Sequence, residues 1–163
     1  MDLDEAFEVY VDDLYRYLFA LSKNHHTAED LVQETFYRAF LQLAGDDISQ
    51  IKPWLFKVAY HAFIDFTRKY KRLVITDEVH NRMDMKTPEM DLLEKEGFRE
   101  LMNDIHSLKE SEMHAVLLCD LHQVSLKEAA EILQFNINTL KSHLSRGRKK
   151  VVERVKERRR QDG

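Results

Sequence analysis

Trp54, Lys57, His61, Asp65, Arg68 and Arg72 recur at a spacing that sets them within about 60 to 80° of one another on an α-helix. Together they offer an aromatic surface beside a rising run of positive charge. That combination suits tracking a phosphate backbone and stacking on unpaired bases, which is binding chemistry and not bond-making. A second row lies near the C-terminus: Asn138, Ser142, Ser145, Arg146 and Lys149 share one helix face, with Lys141 beside them. Arg and Lys suit guanine edges or phosphates, Asn suits adenine, and Ser can address either, so this face has the residue types that read a major groove. A third row, Asp30, Gln33, Glu34 and Tyr37, is a polar stripe on another helix and, by itself, could be ordinary solvated surface.

The elements that must hold these rows are helical. Only four Gly and two Pro in 163 residues leave little material for tight hairpins, and the apolar stretches repeat every three to four residues, so the chain is expected to be all-α. Helical patterns run through about 3–22, 27–44 and 50–71, with Thr27 and Asp30 spaced as a capping box for the second. The periodicity then fades, and Arg82-Met-Asp-Met-Lys-Thr-Pro88 has little to bury. Further helices are expected at about 91–107, 111–121, 125–133 and 137–158. The expected organisation is two small helical domains, 1–72 and 91–163, joined by a flexible linker at 73–90. On the third helix Leu55, Val58, Ala59, Ala62, Phe63, Phe66 and Tyr70 form the side opposite the aromatic and basic row. In the last two helices, Ser125 and Glu128 cap the first, Gln134-Phe-Asn136 turns the chain, and Ile137, Leu140, Leu144 and Val151 form a buried stripe. This is the pattern of a helix-turn-helix.

Charge is segregated. The net value of −4 conceals 4 Lys/Arg against 11 Asp/Glu in residues 1–52, 5 against 1 in 53–72, 6 against 14 in 73–134, and 10 against 3 in 135–163. Two basic segments in an acidic chain suggest two separate polyanion contacts. Hydrophobic residues at 44% beside 33% charged residues fit a folded globular protein and exclude disorder throughout. The acidic start, Met1-Asp-Leu-Asp-Glu5, does not resemble a secretion signal, and no segment reaches the roughly 20 apolar residues of a membrane span, so a cytoplasmic protein without direct membrane insertion is expected. A single cysteine, Cys119, fits a reducing compartment. His114, Cys119 and His122 lie close in sequence, but no second cysteine completes a familiar metal spacing. The His25-His26 pair reads as turn surface at a helix junction. Carboxylates are plentiful, yet no phosphate loop, nucleophile elbow or two-histidine helix motif accompanies them, so neither catalysis, a metal nor a cofactor is expected.

Bland alternatives stay open at this level. Trp54 could be a core residue at a helix start, the basic residues an ordinary solvated face, and the last two helices a hairpin with a charged outer side. Ala28-Glu-Asp-Leu-Val-Gln-Glu-Thr-Phe-Tyr-Arg-Ala-Phe40, Pro53-Trp-Leu-Phe-Lys-Val-Ala59 with Asp65-Phe-Thr-Arg-Lys-Tyr-Lys-Arg72, and Ser125-Leu-Lys-Glu-Ala-Ala-Glu-Ile-Leu133 with Thr139-Leu-Lys-Ser-His-Leu-Ser-Arg-Gly-Arg148 resemble, in order and spacing, regions 2 and 4 of extracytoplasmic-function RNA polymerase sigma factors of the sigma-70 family. The resemblance implies a promoter-recognition subunit that binds core RNA polymerase and directs DNA melting and initiation at a stress or envelope regulon.

It implies that Asp30, Gln33, Glu34 and Tyr37 meet the β′ clamp helices. The loop Gly45-Asp-Asp-Ile-Ser-Gln50 and the row Trp54, Lys57, His61, Asp65, Arg68 and Arg72 would open the minus-10 element and hold a flipped base. Asn138, Thr139, Lys141, Ser142, Ser145, Arg146 and Lys149 would read the minus-35 element, and the second domain would also meet the β flap. An anti-sigma factor is the further partner implied, and it could hold the protein at the membrane. His61 stands where relatives commonly carry Asn, and Gly147 where Ala is frequent. The alternatives are a stand-alone helix-turn-helix regulator, which needs no second DNA surface on a separate domain, and an adaptor whose basic tail, Lys156-Glu-Arg-Arg-Arg160, binds an acidic partner.

Overall fold

The first helix, α1 (Leu3–Ser22), starts at a reciprocal cap: Asp2 Oδ1 accepts from the Glu5 amide at 2.8 Å while Glu5 Oε2 accepts from the Asp2 amide at 3.3 Å. It ends at Lys23, which takes a left-handed conformation (φ 58°). The computed structural model describes residues 1–43, 50–74 and 96–163, with side chains for all of these but 72–74 and 96. The chain divides into two units, Met1–Thr87 and Pro88–Gly163. Among the described residues there is no β-strand, and no helix is long and apolar enough to cross a membrane.

In the first unit α1, α2 (His25–Leu43) and α3 (Ile51–Val74) each pack against the other two. The second helix does not begin where its sequence suggests. The Thr27 amide donates to Asn24 Oδ1 at 3.0 Å, so Asn24 is the cap and Thr27 already lies in the first turn, in place of the expected Thr27 and Asp30 box. The left-handed Lys23 reverses the chain just before Asn24 and leaves room for this junction. Leu14, Tyr17 and Leu18 of α1, Ala28 and Thr35 of α2, and Leu55, Phe56 and Ala59 of α3 are fully enclosed. Each large apolar side chain buried this way contributes roughly 1.5–3 kcal/mol. Thr35 satisfies its hydroxyl on the Leu31 carbonyl at 2.7 Å. The Tyr17 and Phe56 rings meet with centroids 5.1 Å apart, and burial pushes the Tyr17 hydroxyl's pKa up.

The second unit holds α4 (Glu96–His106), α5 (Glu110–Val116), a π-helical turn (Leu117–Leu121), α6 (Leu126–Leu133) and α7 (Ile137–Asp162). The expected 111–121 helix is thus present, but its last turn widens, with the His122 amide donating to the Leu117 carbonyl at 3.1 Å. Ser125 caps α6 by accepting from the Glu128 amide at 3.1 Å, left-handed Gln134 (φ 58°) closes it, and Asn136 caps α7 by accepting from the Asn138 amide at 2.8 Å. The core gathers Ile105, Leu117, Leu118, Ala129, Ile132, Leu140 and Leu144, with α4, α5 and α6 all packed on α7. Ile137 departs from the expected buried stripe: at 41% exposure it stands at the projecting first turn of α7. Residues 75–90 of the expected linker, and 91–95 of the next helix, lie outside the described residues, while α3 continues through Val74.

His114 is enclosed in this core at 4% exposure; burial holds its pKa below the ordinary 6.5, against the opposing pull of Glu110. A histidine with a lowered folded pKa takes its proton first in the unfolded chain. The stability it allows is therefore present above the ordinary value and is lost as pH falls below it. The second unit is expected to become easier to unfold between about pH 7.5 and 5.5, near the ordinary histidine pKa. Denaturant titrations at those two values should show this, and His114→Leu should flatten the difference.

Candidate nucleic-acid interface

On α3 the predicted core side is buried at Leu55, Val58, Ala59, Ala62 and Phe63, with Phe66 and Tyr70 half-buried. The opposite row is presented to varying degrees: Lys57 and Arg68 are exposed, while Trp54, His61 and Asp65 are half-buried. The side chain of Arg72, like the loop residues 45–49, lies outside the described residues. Asp65 is the one acid in this row, and its charge is answered locally. Arg38 Nη1 donates to Asp65 Oδ2 at 2.9 Å, and Arg38 Nε donates to Glu34 Oε1, also at 2.9 Å. Burial works against the Arg38 charge, but the hydrogen bonds to Glu34 and Asp65 outweigh it and hold the guanidinium's pKa above its ordinary value. Sequence reading missed Arg38. Its i,i+4 spacing from Glu34 was a legible signal, whereas the link to Asp65 on another helix was not.

Asp30, Gln33 and Tyr37 are exposed along α2, and Glu34 is half-buried against Arg38. Continuing this face are two residues that sequence reading also passed over, Phe40 at 68% and Leu41 at 60% exposure. Phe7 of α1, 47% exposed, meets Phe36 edge-on at 4.8 Å. The signal was an excess: with Leu31, Val32, Thr35, Ala39 and Leu43 filling the buried stripe, the apolar residues at 36, 37, 40 and 41 had no room on it. Exposed apolar residues grouped beside acids suit a protein-binding surface.

On α7 the residues Asn138, Thr139, Lys141, Ser142, Ser145, Arg146 and Lys149 are all exposed along the outward side. Three other cations of this helix are paired within the unit. Arg148 donates twice to Asp120, at 2.9 and 2.6 Å; Arg158 donates to Asp104 Oδ1 at 2.6 Å, with Glu100 3.6 Å away; and Lys150 donates to Glu112 Oε1 at 2.7 Å. Three of the ten Lys and Arg residues of α7 are therefore engaged in ion pairs within the unit, and the basic tail loses Arg158 to α4. Arg146 is half outward. Its Nε faces Glu112 Oε2 at 3.6 Å, and its Nη2 donates to Nδ1 of His143 at 3.1 Å, which requires that nitrogen to be unprotonated. Among the described residues, no three His, Cys, Asp or Glu side chains are placed to share a metal ion.

The two units align with two sequence families: residues 6–73 match Sigma-70 region 2, and residues 98–151 match Sigma-70, region 4. Over 152 residues the chain is 36% identical to the ECF RNA polymerase sigma factor SigM of Bacillus subtilis (strain 168), covering 93% of each chain. It is 28% identical over 151 residues to RNA polymerase sigma factor YlaC of the same organism, covering 90% of this chain and 87% of the relative. Its fold matches the sigma factor RpoE, solved in complex with the anti-sigma factor NepR from Bartonella quintana, with a TM-score of 0.81 and 26% identity over 94% of this chain and 96% of that one. With both regions present in order and relatives aligned nearly end to end, the chain belongs to the extracytoplasmic-function sigma factors of the sigma-70 family, which direct transcription initiation.

Proposed function

We propose that residues 1–72 bind core RNA polymerase and the minus-10 element, that residues 91–163 bind the minus-35 element, and that residues 73–90 connect them. Asp30, Gln33, Glu34 and Tyr37, continued by Phe40 and Leu41, meet the β′ clamp helices. Trp54, Lys57, His61 and Arg68, with Arg72 and the 45–50 loop, take the opened minus-10 strand. Asn138, Thr139, Lys141, Ser142, Ser145, Arg146 and Lys149 read minus-35, and the same unit meets the β flap. Asp65 serves this face indirectly, through Arg38. Melting is driven by binding: bases trapped on protein surface offset the few kcal/mol per step that unstacking costs, roughly the scale of one base stacked on an aromatic ring. No bond to substrate is made or broken in this scheme. An anti-sigma factor is the partner that would silence the protein, by analogy with the RpoE relative solved with NepR. It would act in the cytoplasm, where the polymerase is, and an anchored inhibitor would keep it at the membrane.

The observation that carries this reading is the pair of outward basic faces on separate units. A stand-alone helix-turn-helix regulator needs only the second. The test is multi-round transcription from a library of promoter fragments by purified core polymerase, with and without the full chain. Initiation at a defined subset only when the protein is added is expected. A silent polymerase, with the protein alone shifting specific duplex DNA, would sink the proposal.

Because Glu34 bonds Arg38, the clean test of the polymerase face leaves it in place. Asp30→Ala with Gln33→Ala should weaken core polymerase binding by about 1–3 kcal/mol, the scale of charged hydrogen bonds, with DNA binding by the second unit unchanged. Equal affinity for core would remove both residues from that role.

A further inference from the structure

Glu112 is an acid in a place that packing alone would give to an apolar residue. It lies on α5 against α7 and is 2% exposed. A buried charge costs several kcal/mol to desolvate unless it is paired, and a leucine-sized side chain would fill the same space without that cost. Pairing comes from α7. The hydrogen bond from Lys150 lowers the Glu112 carboxyl's pKa from its ordinary value, against the effect of burial, so the carboxylate is charged.

The carboxylate reaches its partners because the residue between them is glycine. A Cβ at Gly147 would lie 2.9 Å from Val116 Cγ2, 3.3 Å from the Glu112 carbonyl oxygen and 3.4 Å from Glu112 Cβ. The two helices touch at that point. Residues 146 and 150 stand one helical turn apart on either side of it, so Oε1 accepts from Lys150 Nζ at 2.7 Å while Oε2 faces Arg146 Nε at 3.6 Å. The Arg146 side chain is nevertheless 56% exposed. Its Nε edge faces Glu112 in an ion pair, and its Nη2 donates to Nδ1 of His143 at 3.1 Å, so the carboxylate and the imidazole both bear on the guanidinium.

We infer that Glu112 is a positioning residue for Arg146: with His143 it sets the orientation of the guanidinium, and so the base preference at the one minus-35 position that Arg146 addresses. This rests on the reading of α7 as the minus-35 helix. Bidentate recognition of a guanine edge depends on both terminal donors arriving in one plane, and an arginine freed from its anchor samples many others. The carboxylate also subtracts from the field that the cations of α7 project toward phosphate. Removing it acts in two directions at once, lowering discrimination while leaving or raising affinity for any DNA. A merely structural defect lowers both.

The experiment uses polymerase holoenzyme reconstituted with the full chain as wild type, Glu112→Gln, Glu112→Leu, Arg146→Ala and the Glu112→Gln/Arg146→Ala double variant. Binding is measured on a promoter selected from the library, on its single-base minus-35 variants, and on random duplex. The Gln and Leu variants should each lose discrimination at the same base pair that Arg146→Ala relaxes, by about fivefold or more, the lower end for a bidentate contact. Random-duplex affinity should be unchanged or higher, and the double variant no worse than Arg146→Ala alone. The Leu variant carries the test where Gln weakens the fold. Retained discrimination in both Glu112 variants, beside its loss in Arg146→Ala, would overturn the inference. So would equal losses on specific and random DNA. Unchanged base preference in Arg146→Ala would instead overturn the assignment of Arg146 as a reader, and the inference with it.

Discussion

Gly147→Val is expected to destabilise the second unit by about 3 kcal/mol, at the upper end of what overpacking costs, and to abolish minus-35 recognition with it. A Cβ at this position already meets Val116 Cγ2 at 2.9 Å, and the next nearest atom is a backbone oxygen of Glu112 at 3.3 Å, so neither neighbour is a flexible tip that can step aside. Valine adds two further methyl groups to that contact. Gly147→Ala separates the competing terms. Helix propensity alone would favour alanine by about 1 kcal/mol, whereas contact with α5 disfavours it, and a net loss is expected. Trp54 is the only tryptophan in the chain and belongs to the first unit, so its fluorescence reports that unit alone while circular dichroism reports both. In Gly147→Val the dichroism transition should move to lower denaturant with the fluorescence transition in place. A variant as stable as wild type would mean that α5 and α7 approach less closely than 2.9 Å implies.

The complementary result is expected from Phe56→Ala. This side chain is fully enclosed against Tyr17, and its removal should cost the first unit about 3–5 kcal/mol. That is a large fraction of the 5–15 kcal/mol that holds a typical domain together. The fluorescence transition should now move and the second unit's should not. Initiation should fail although Lys57, His61 and Arg68 are all intact, because the helix that carries them has lost its seat. A Phe56→Ala variant with wild-type initiation and an unshifted fluorescence transition would show that Phe56 does not anchor α3.

Faces were legible in the sequence where one helix decides them. The 3.6-residue period separated the α3 core from its outer row and put Leu140 and Leu144 inside α7. It misjudged Ile137 because a period assigns a side and not an endpoint, and the first turn of α7 extends past its neighbours. Caps were half-legible. Ser125 was correct, but at the second helix two candidate caps, Asn24 and Thr27, stand three residues apart, and His25 and His26 give no hydropathy contrast to choose between them. What the period cannot supply is the partner of a charge. Arg38 with Asp65, Lys150 with Glu112 and Arg158 with Asp104 are separated by 27, 38 and 54 residues, and each turns a cation that looks available on a helical wheel into part of the scaffold.

The π-helical turn at Leu117–Leu121 has a consequence for how this unit can change length. Residues four apart on an α-helix drift about 40° in azimuth at each step, so Glu112, Val116 and Asp120 would wind progressively off any straight neighbour. A widened turn takes in one more residue per revolution and reverses part of that drift. Glu112 meets Lys150, Val116 lies against Gly147, and Asp120 still reaches Arg148, three contacts along one seam. An insertion or deletion between Glu112 and Asp120 would therefore act chiefly as a rotation, about 100° per residue against about 1.5 Å of rise. It would swing Asp120 out of phase with its arginine while the α4, α6 and α7 helices keep their lengths.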